Sequence, residues 1–158
     1  VLRDHGMSKT KRYWHEEVGY NYRMTNLQAS IGLAQLERID EILENRKVIE
    51  EKYKSKLSLL SHVEFQRDNL PSRQKITWMV CALLGNERDD LIEVAQKEGV
   101  DLRPFFYSLS MMPIYEKYVF SNKVSLNLSK SGINFPTNSS LDSSGLNHII
   151  EMFTKYYN

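Results

Sequence analysis

Between Thr25 and about Leu60, apolar residues recur mostly every three or four positions, at Leu27, Ile31, Ala34, Ile39, Ile42, Ile49, Tyr53, Leu57 and Leu60. That is the period of an α-helix, and it commits the chain to burying one long helical face. At 1.5 Å per residue such a helix runs roughly 50 Å, long enough to bend or break. The other positions are filled by charges: Glu37, Arg38, Asp40, Glu41, Glu44, Arg46, Lys47, Glu50, Glu51 and Lys52. They read as a solvated face whose i,i+4 pairs contribute only about 0.3 kcal/mol each. Such a face serves solubility rather than catalysis.

Beyond the helix the pattern changes to short strands and helices. Val63-Glu64-Phe65-Gln66 alternates as a strand does, and Asn69-Leu70-Pro71-Ser72 has turn chemistry. The apolar, β-branched run Ile76 to Leu84 reads as the central strand of a small sheet. Glu87 to Gly99 reads as a helix with Leu91, Ile92, Val94 and Ala95 inward and Gly99 as its C-cap, followed by strand character from Val100 to Arg103. A short helix from near Asn122 to Ser131, a strand at Ile133-Asn134-Phe135-Pro136 and a last helix from Leu141 or Asp142 to Tyr156 complete the order. In that last helix Leu146, Ile149, Ile150 and Phe153 form one apolar face to dock on the sheet, although Ser144 and Gly145 weaken its first turn. The fold class is α+β, a small sheet packed with helices. At 158 residues one ordinary domain is the default.

Two stretches carry candidate chemistry. In Gly19-Tyr20-Asn21-Tyr22-Arg23-Met24-Thr25-Asn26-Leu27-Gln28-Ala29, Thr25 and Gln28 have the spacing of a capping box at the start of the long helix. Just upstream, Gly19 lets the backbone turn, and Asn21 and Arg23 offer an amide and a guanidinium suited to a phosphate or carboxylate. A helix N-terminus favours the same anions. The alternative is a solvated loop whose arginine pairs with a nearby carboxylate. Before it, Met7 to Tyr22 reads as a surface loop in which Tyr13-Trp14-His15 either packs on a core or forms a binding wall. His15 there offers a ring N–H to a phosphate or sugar oxygen, or serves as a structural hydrogen-bonder. In the second stretch, Arg103-Pro104-Phe105-Phe106-Tyr107-Ser108-Leu109-Ser110, an arginine at a strand end sits beside aromatics. That composition suits a nucleotide phosphate and base, or simply a core.

Bulk properties narrow the classes. With 21 Lys and Arg against 20 Asp and Glu the net charge is +1, so no global field draws the chain to nucleic acid or to a membrane surface. The single cysteine, Cys81, excludes an intramolecular disulfide and reads as a buried, inert thiol in a reducing, cytoplasmic setting. Neither a membrane span nor a signal peptide is expected. His5, His15, His62 and His148 are scattered without ligand spacing, so no metal site is expected.

The run Arg12-Tyr13-Trp14-His15 followed by GYNYRMTNLQASIGLAQLERID resembles the DegT/StrS family of pyridoxal-phosphate-dependent sugar aminotransferases, particularly its perosamine-synthase branch. Further similarity lies in Leu102 to Tyr107, in Met112-Pro113-Ile114-Tyr115 and in Gly132-Ile133-Asn134-Phe135-Pro136-Thr137. Together these cover nearly the whole chain in the family's order.

The resemblance implies the C-terminal part of a fold-type-I aminotransferase: residues 1–24 as the end of the large cofactor domain with an active-site loop, 25–60 as a linking helix, and 61–158 as a small α+β domain. It implies amino transfer from glutamate to a nucleotide-linked 4-keto-6-deoxy sugar, for cell-surface polysaccharide biosynthesis, in a cytoplasmic homodimer with shared active sites. Asn21 would reach the phosphate of pyridoxal 5'-phosphate in the neighbouring subunit, and Arg23, His15 and Arg103 would lie on the substrate side. The family's Schiff-base lysine lies N-terminal to the resemblance, so no lysine of this chain takes that role. Val1 to Gly6 accordingly reads as the tail of a helix ending at a Gly C-cap, cut from something longer, and the chain alone is expected to be inactive. Where the family commonly has Tyr-Pro-x-His, this chain has Ser108 and Ser110 in place of Pro and His, which leaves the sugar open. Two alternatives remain. One is a related sugar-nucleotide enzyme, either a 3-aminotransferase or a dehydratase with histidine at the lysine position. The other is a noncatalytic module pairing through the Thr25–Leu60 helix.

Overall fold

The computed structural model describes residues 1–68, 71–72, 75–118 and 122–158. They form two compact units, Val1–Ile39 and Asp40–Asn158.

The first unit is a loop closed on itself followed by helix α1, Asn26–Leu36. Thr25 is its N-cap and the capping box is complete: the Gln28 amide donates to Thr25 Oγ1 at 3.2 Å and the Thr25 amide donates to Gln28 Oε1 at 2.9 Å. Two of the amides orphaned at a helix start are thereby satisfied. Ahead of it, isolated antiparallel bridges join Asp4 to Asn21 and Met7 to His15. His5 and Gly6 both have left-handed backbones, and the Gly6 amide reaches back to the Val1 carbonyl at 3.1 Å, the six-to-one bond that closes helix C-termini. The left-handed position next to the helix-like turn is therefore His5, with Gly6 one residue later.

The expected single helix over 25–60 is two. The turn at Glu37–Arg38 separates α1 from α2, Ile39–Leu57. The Arg38 amide bonds to the Gln35 carbonyl at 3.2 Å, a tightened i→i−3 closure that ends α1. The predicted apolar face divides with it. In α2, Ile49, Tyr53 and Leu57 are buried, whereas in α1 Leu27 is 72% and Ile31 59% exposed and none of its residues is buried among the described residues. Periodicity marked an apolar face; nothing in this unit covers it.

The second unit holds a four-stranded antiparallel sheet in the order β1-β2-β4-β3, formed by β1 (Glu64–Phe65), β2 (Val80–Leu83), β3 (Arg103–Pro104) and β4 (Gly132–Phe135). Helices α3 (Arg88–Lys97), α4 (Lys123–Ser131) and α5 (Ser143–Tyr157) complete it, with short 3-10 turns at Leu109–Met111 and Pro113–Tyr118. The expected strand at 76–84 shortens to its second half, and that at 100–103 moves to Arg103–Pro104, where proline is tolerated because β3 is an edge strand. Of the expected turn at 69–72, Asn69 and Leu70 lie outside the described residues, while Pro71 and Ser72 form a turn.

Strand alternation puts Val80, Ala82, Ile133 and Phe135 into one core with Tyr53, Leu57, Leu91, Ala95, Leu146, Ile149 and Phe153. Phe135 is its hub, with ring centroids 4.8 Å from Tyr53 and 4.9 Å from Phe153. α5 starts where Asp142 Oδ1 accepts from the Gly145 amide at 2.7 Å, so the cap compensates for the weak first turn. The fold is α+β. Its opposite sheet face, carrying Cys81, Gly132 and Asn134, is the one that positions a site.

Candidate functional site

The first unit contains three of the four expected site residues. Its backbone crosses itself at Gly6 and Gly19: a Cβ on Gly19 would lie 1.9 Å from the Gly6 nitrogen, and one on Gly6 would lie 2.0 Å from the Glu17 carbonyl oxygen. Gly19 is thus required by close approach of two backbones rather than by a turn. This crossing, with amide bonds from His5 to Tyr20 and from Tyr20 to Leu2 at 3.0 and 2.7 Å, fixes the segment that leads into α1. Asn21 is exposed on that segment, and no hydrogen bond of its carboxamide is found among the described residues. Arg23 donates to Asp4 Oδ2 at 3.2 Å, the carboxylate-paired alternative read from the sequence, in an exposed pair. His15 is held through Nδ1 against the His5 carbonyl at 2.8 Å, and Tyr13 and Trp14 are exposed rather than packed on a core. An exposed amide and a guanidinium before a capped helix N-terminus make a donor set that fits a phosphate.

The fourth, Arg103, lies in the second unit. Its Nε and Nη2 both donate to Asp101 Oδ2, at 3.0 and 2.7 Å, and the acid holds the guanidinium pKa above its usual range. Arg103 lines a cavity of about 330 Å³ with Arg46, Trp78, Asn134 and Pro136. A larger cavity of about 720 Å³ adjoins it through Trp78, Met79 and Asn134, and is walled by Phe105, Phe106, Tyr107, Ser108 and Cys81. Its floor is tied together by Asn134, which accepts from Cys81 Sγ at 3.1 Å and donates through Nδ2 to the Pro104 carbonyl at 3.1 Å. Cys81 is half-buried, not buried as expected, because its strand position faces this cavity. Burial still pushes its thiol pKa up.

The aromatic loop is pinned by hydroxyls. Ser108 Oγ lies 2.8 Å from Ser110 Oγ and 2.5 Å from Ser125 Oγ, so Ser108 ties the loop to α4 and Ser110 bonds to Ser108. Arg88 steadies α4 in turn, donating to the Ser129 carbonyl at 2.7 Å at the negative end of that helix.

Arg46 and Trp78 were missed from the sequence. The charge pattern reads Arg46 onto the solvated face, yet it stands three residues before Ile49 and seven before Tyr53, in line with the buried stripe of α2; a charge on that line is the available signal. The apolar run reads Trp78 into the central strand, but β2 begins at Val80, and Trp78 is 68% exposed in the bend before it. Among the described residues no group of three His, Cys, Asp or Glu side chains is placed to hold a metal ion, and no helix is long and apolar enough to cross a membrane.

Comparison with known proteins places this architecture. The chain is 36% identical over 165 residues to the GDP-perosamine synthase of Vibrio cholerae, covering 99% of this chain and 44% of that protein. It is 35% identical over 155 residues to the GDP-perosamine synthase of Caulobacter vibrioides, covering 95% and 42%. The chain thus spans less than half the length of these relatives. Among solved structures, Helicobacter pylori PseC, an aminotransferase involved in the biosynthesis of pseudoaminic acid, superposes with a TM-score of 0.86 at 16% identity, over 99% of this chain and 44% of that one. A DegT DnrJ EryC1 StrS aminotransferase from Brucella abortus gives 0.83 at 22% identity, over 99% and 42%. At these identities the superpositions speak for the fold, and the family's own sequence profile matches residues 1–154. On sequence and fold together, the chain belongs to the DegT/DnrJ/EryC1/StrS aminotransferase family.

Proposed function

We propose that this chain is part of a pyridoxal-phosphate-dependent enzyme that transfers an amino group from glutamate to a nucleotide-linked 4-keto-6-deoxy sugar, a perosamine-type step in cell-surface polysaccharide biosynthesis. The observation that carries the reading is the likeness to GDP-perosamine synthases over nearly the whole chain, which includes the loop from Gly19 to the capped start of α1. In this reading Asn21 binds the cofactor phosphate through its free carboxamide. Arg23, already oriented by Asp4, and His15, held by the His5 carbonyl, stand on the substrate side. Arg103, in the second unit, is the remaining substrate-side candidate. The cofactor, when bound, supplies the electron sink for amino transfer, while the protein orients it and excludes competing reactions.

A homodimer with shared active sites is part of the proposal. It is supported by α1, which carries no charged residue and buries none of its side chains among the described residues, as a helix destined to be covered does. A cytoplasmic enzyme fits the nucleotide-sugar substrate. None of the chain's lysines is assigned the cofactor linkage, so residues 1–158 alone are expected to show no turnover.

The test is to incubate the complete protein with pyridoxal phosphate, glutamate and GDP-4-keto-6-deoxymannose, and to analyse the nucleotide sugar by mass spectrometry. A 4-amino product formed with matching loss of glutamate supports the proposal. An unchanged keto sugar, with dehydration or no reaction instead, rejects it.

A further inference from the structure

The two adjoining cavities on the open sheet face differ in chemistry, and the difference is directional. At one end stand Arg46 and Arg103; at the other, Phe106 and Tyr107 are exposed; Trp78 belongs to both. We infer that they form one bipartite site for a nucleoside diphosphate, with Arg46 contacting the phosphates and Trp78 stacking on the base. The inference rests on the nucleotide-sugar reading above and adds to it two residues from separate elements.

The two arginines are not equivalent. Arg103 gives two of its donors to Asp101, so that pair is close to neutral. Arg46 makes one hydrogen bond, from Nη1 to the Trp78 carbonyl at 2.8 Å, and its Nε is buried without a partner among the described residues. No carboxylate pairs with it among the described residues, whereas Arg103 is matched by Asp101. A guanidinium is always charged and weakly hydrated, and Arg46 lacks the acid that neutralises Arg103, which makes it the stronger anion contact. Trp78 presents its ring to solvent where a base can stack, a contact indifferent to which base is offered. At about 330 and 720 Å³ the cavities have room for the phosphates and the nucleoside respectively.

The experiment is isothermal titration of the complete protein with GDP and with guanosine, for the unsubstituted protein and for Arg46→Met, Arg46→Lys and Trp78→Ala, each with a thermal melt. Arg46→Met is expected to weaken GDP binding about 10- to 100-fold while leaving guanosine binding unchanged. Arg46→Lys should recover part of the loss, and Trp78→Ala should weaken both ligands by roughly tenfold. GDP affinity unchanged in both Arg46→Met and Trp78→Ala overturns the inference while leaving the aminotransferase reading intact. Equal loss of GDP and guanosine in Arg46→Met, together with a lowered melting temperature, overturns the phosphate contact in favour of a structural tie between α2 and Trp78. Failure of GDP to bind the unsubstituted protein overturns this inference, while the product assay above decides the aminotransferase reading separately.

Discussion

The Phe105 ring occupies the space that a side chain on Gly132 would need. A Cβ there would lie 2.1 Å from the ring's Cδ2, and the Phe105 amide donates to the Gly132 carbonyl at 3.0 Å. The chain leaving β3 is thereby laid flat on β4, and the aromatic wall of the candidate site begins from that contact.

Gly132→Ala is accordingly expected to expel the ring. Overpacking of this kind costs about 1–3 kcal/mol, readable as a lower urea midpoint with an unchanged slope. If the Phe105 loop walls the nucleotide site, GDP affinity should fall as well. A stability equal to that of the unsubstituted protein would show that the ring moves aside freely.

Thr137 serves the core through its hydroxyl. Its Oγ1 accepts from the Val80 amide at 2.9 Å and donates to the Phe135 carbonyl at 2.8 Å, all in a buried setting. Thr137→Val keeps the shape but orphans a buried amide, at a cost of about 1–3 kcal/mol, whereas Thr137→Ser should be nearly neutral in hydrogen bonding. Chemical denaturation of both variants checks this; equal stability of the two would remove the hydroxyl's role.

Glu50 lies buried on α2 beneath Lys54, Lys75 and Thr77, with Lys54 Nζ at 2.8 Å, and Asp68 completes the cluster. Burial pushes the Glu50 carboxyl up, but hydrogen bonds from Lys54, Lys75 and Thr77 outweigh it and leave the pKa below its ordinary 4.5. A depressed carboxylate pKa contributes stability above that ordinary value and loses it as pH falls through the folded-state pKa. Lys75 works in the opposite sense: burial pushes it down, but Glu50 and Asp68 raise it above its ordinary 10.5, so its share is lost only as pH rises past the raised value. Melting temperatures measured from pH 7 down to pH 3 should therefore decline less steeply in Glu50→Gln than in the unsubstituted protein. Parallel profiles would assign the acid sensitivity to other groups.

Asn21→Ala separates binding from folding, because no hydrogen bond of the Asn21 carboxamide is found among the described residues. In the complete protein it should speed loss of pyridoxal phosphate on dialysis, followed by the cofactor's absorbance, without lowering the melting temperature of the cofactor-free form. Unchanged retention would remove Asn21 from the phosphate site.

Removing the α1 cap with Thr25→Ala is expected to cost about 1 kcal/mol of local stability. Hydrogen exchange should speed at the amides of Gln28 and its neighbours, and Thr25→Ser should restore protection. Exchange as slow as in the unsubstituted protein would mean that packing, not the cap, holds the first turn.

Much of this was legible in the sequence wherever the cause is local. Thr25 and Gln28 are three residues apart, so the capping box needed no tertiary information. The buried stripes Ile49-Tyr53-Leu57 and Leu146-Ile149-Ile150-Phe153 followed from helical period, since a helix presents one face to a core whatever that core contains. The loop ahead of α1 was recognisable because its residues are contiguous.

What the tertiary structure alone decided concerns residues far apart in the chain. The period that buries Tyr53 also runs through Leu27 and Ile31, but periodicity marks a face as apolar without specifying what covers it, and in α1 that face stays open. Gly19 needs its missing side chain because Gly6 crosses it, and Gly132 because Phe105 lies on it. Arg46 meets Trp78 across 32 positions only because α2 and the bend before β2 pack on one sheet. Short-range hydrogen bonds and periodicity are written in neighbouring residues; which distant side chains share a cavity is set by how the elements pack.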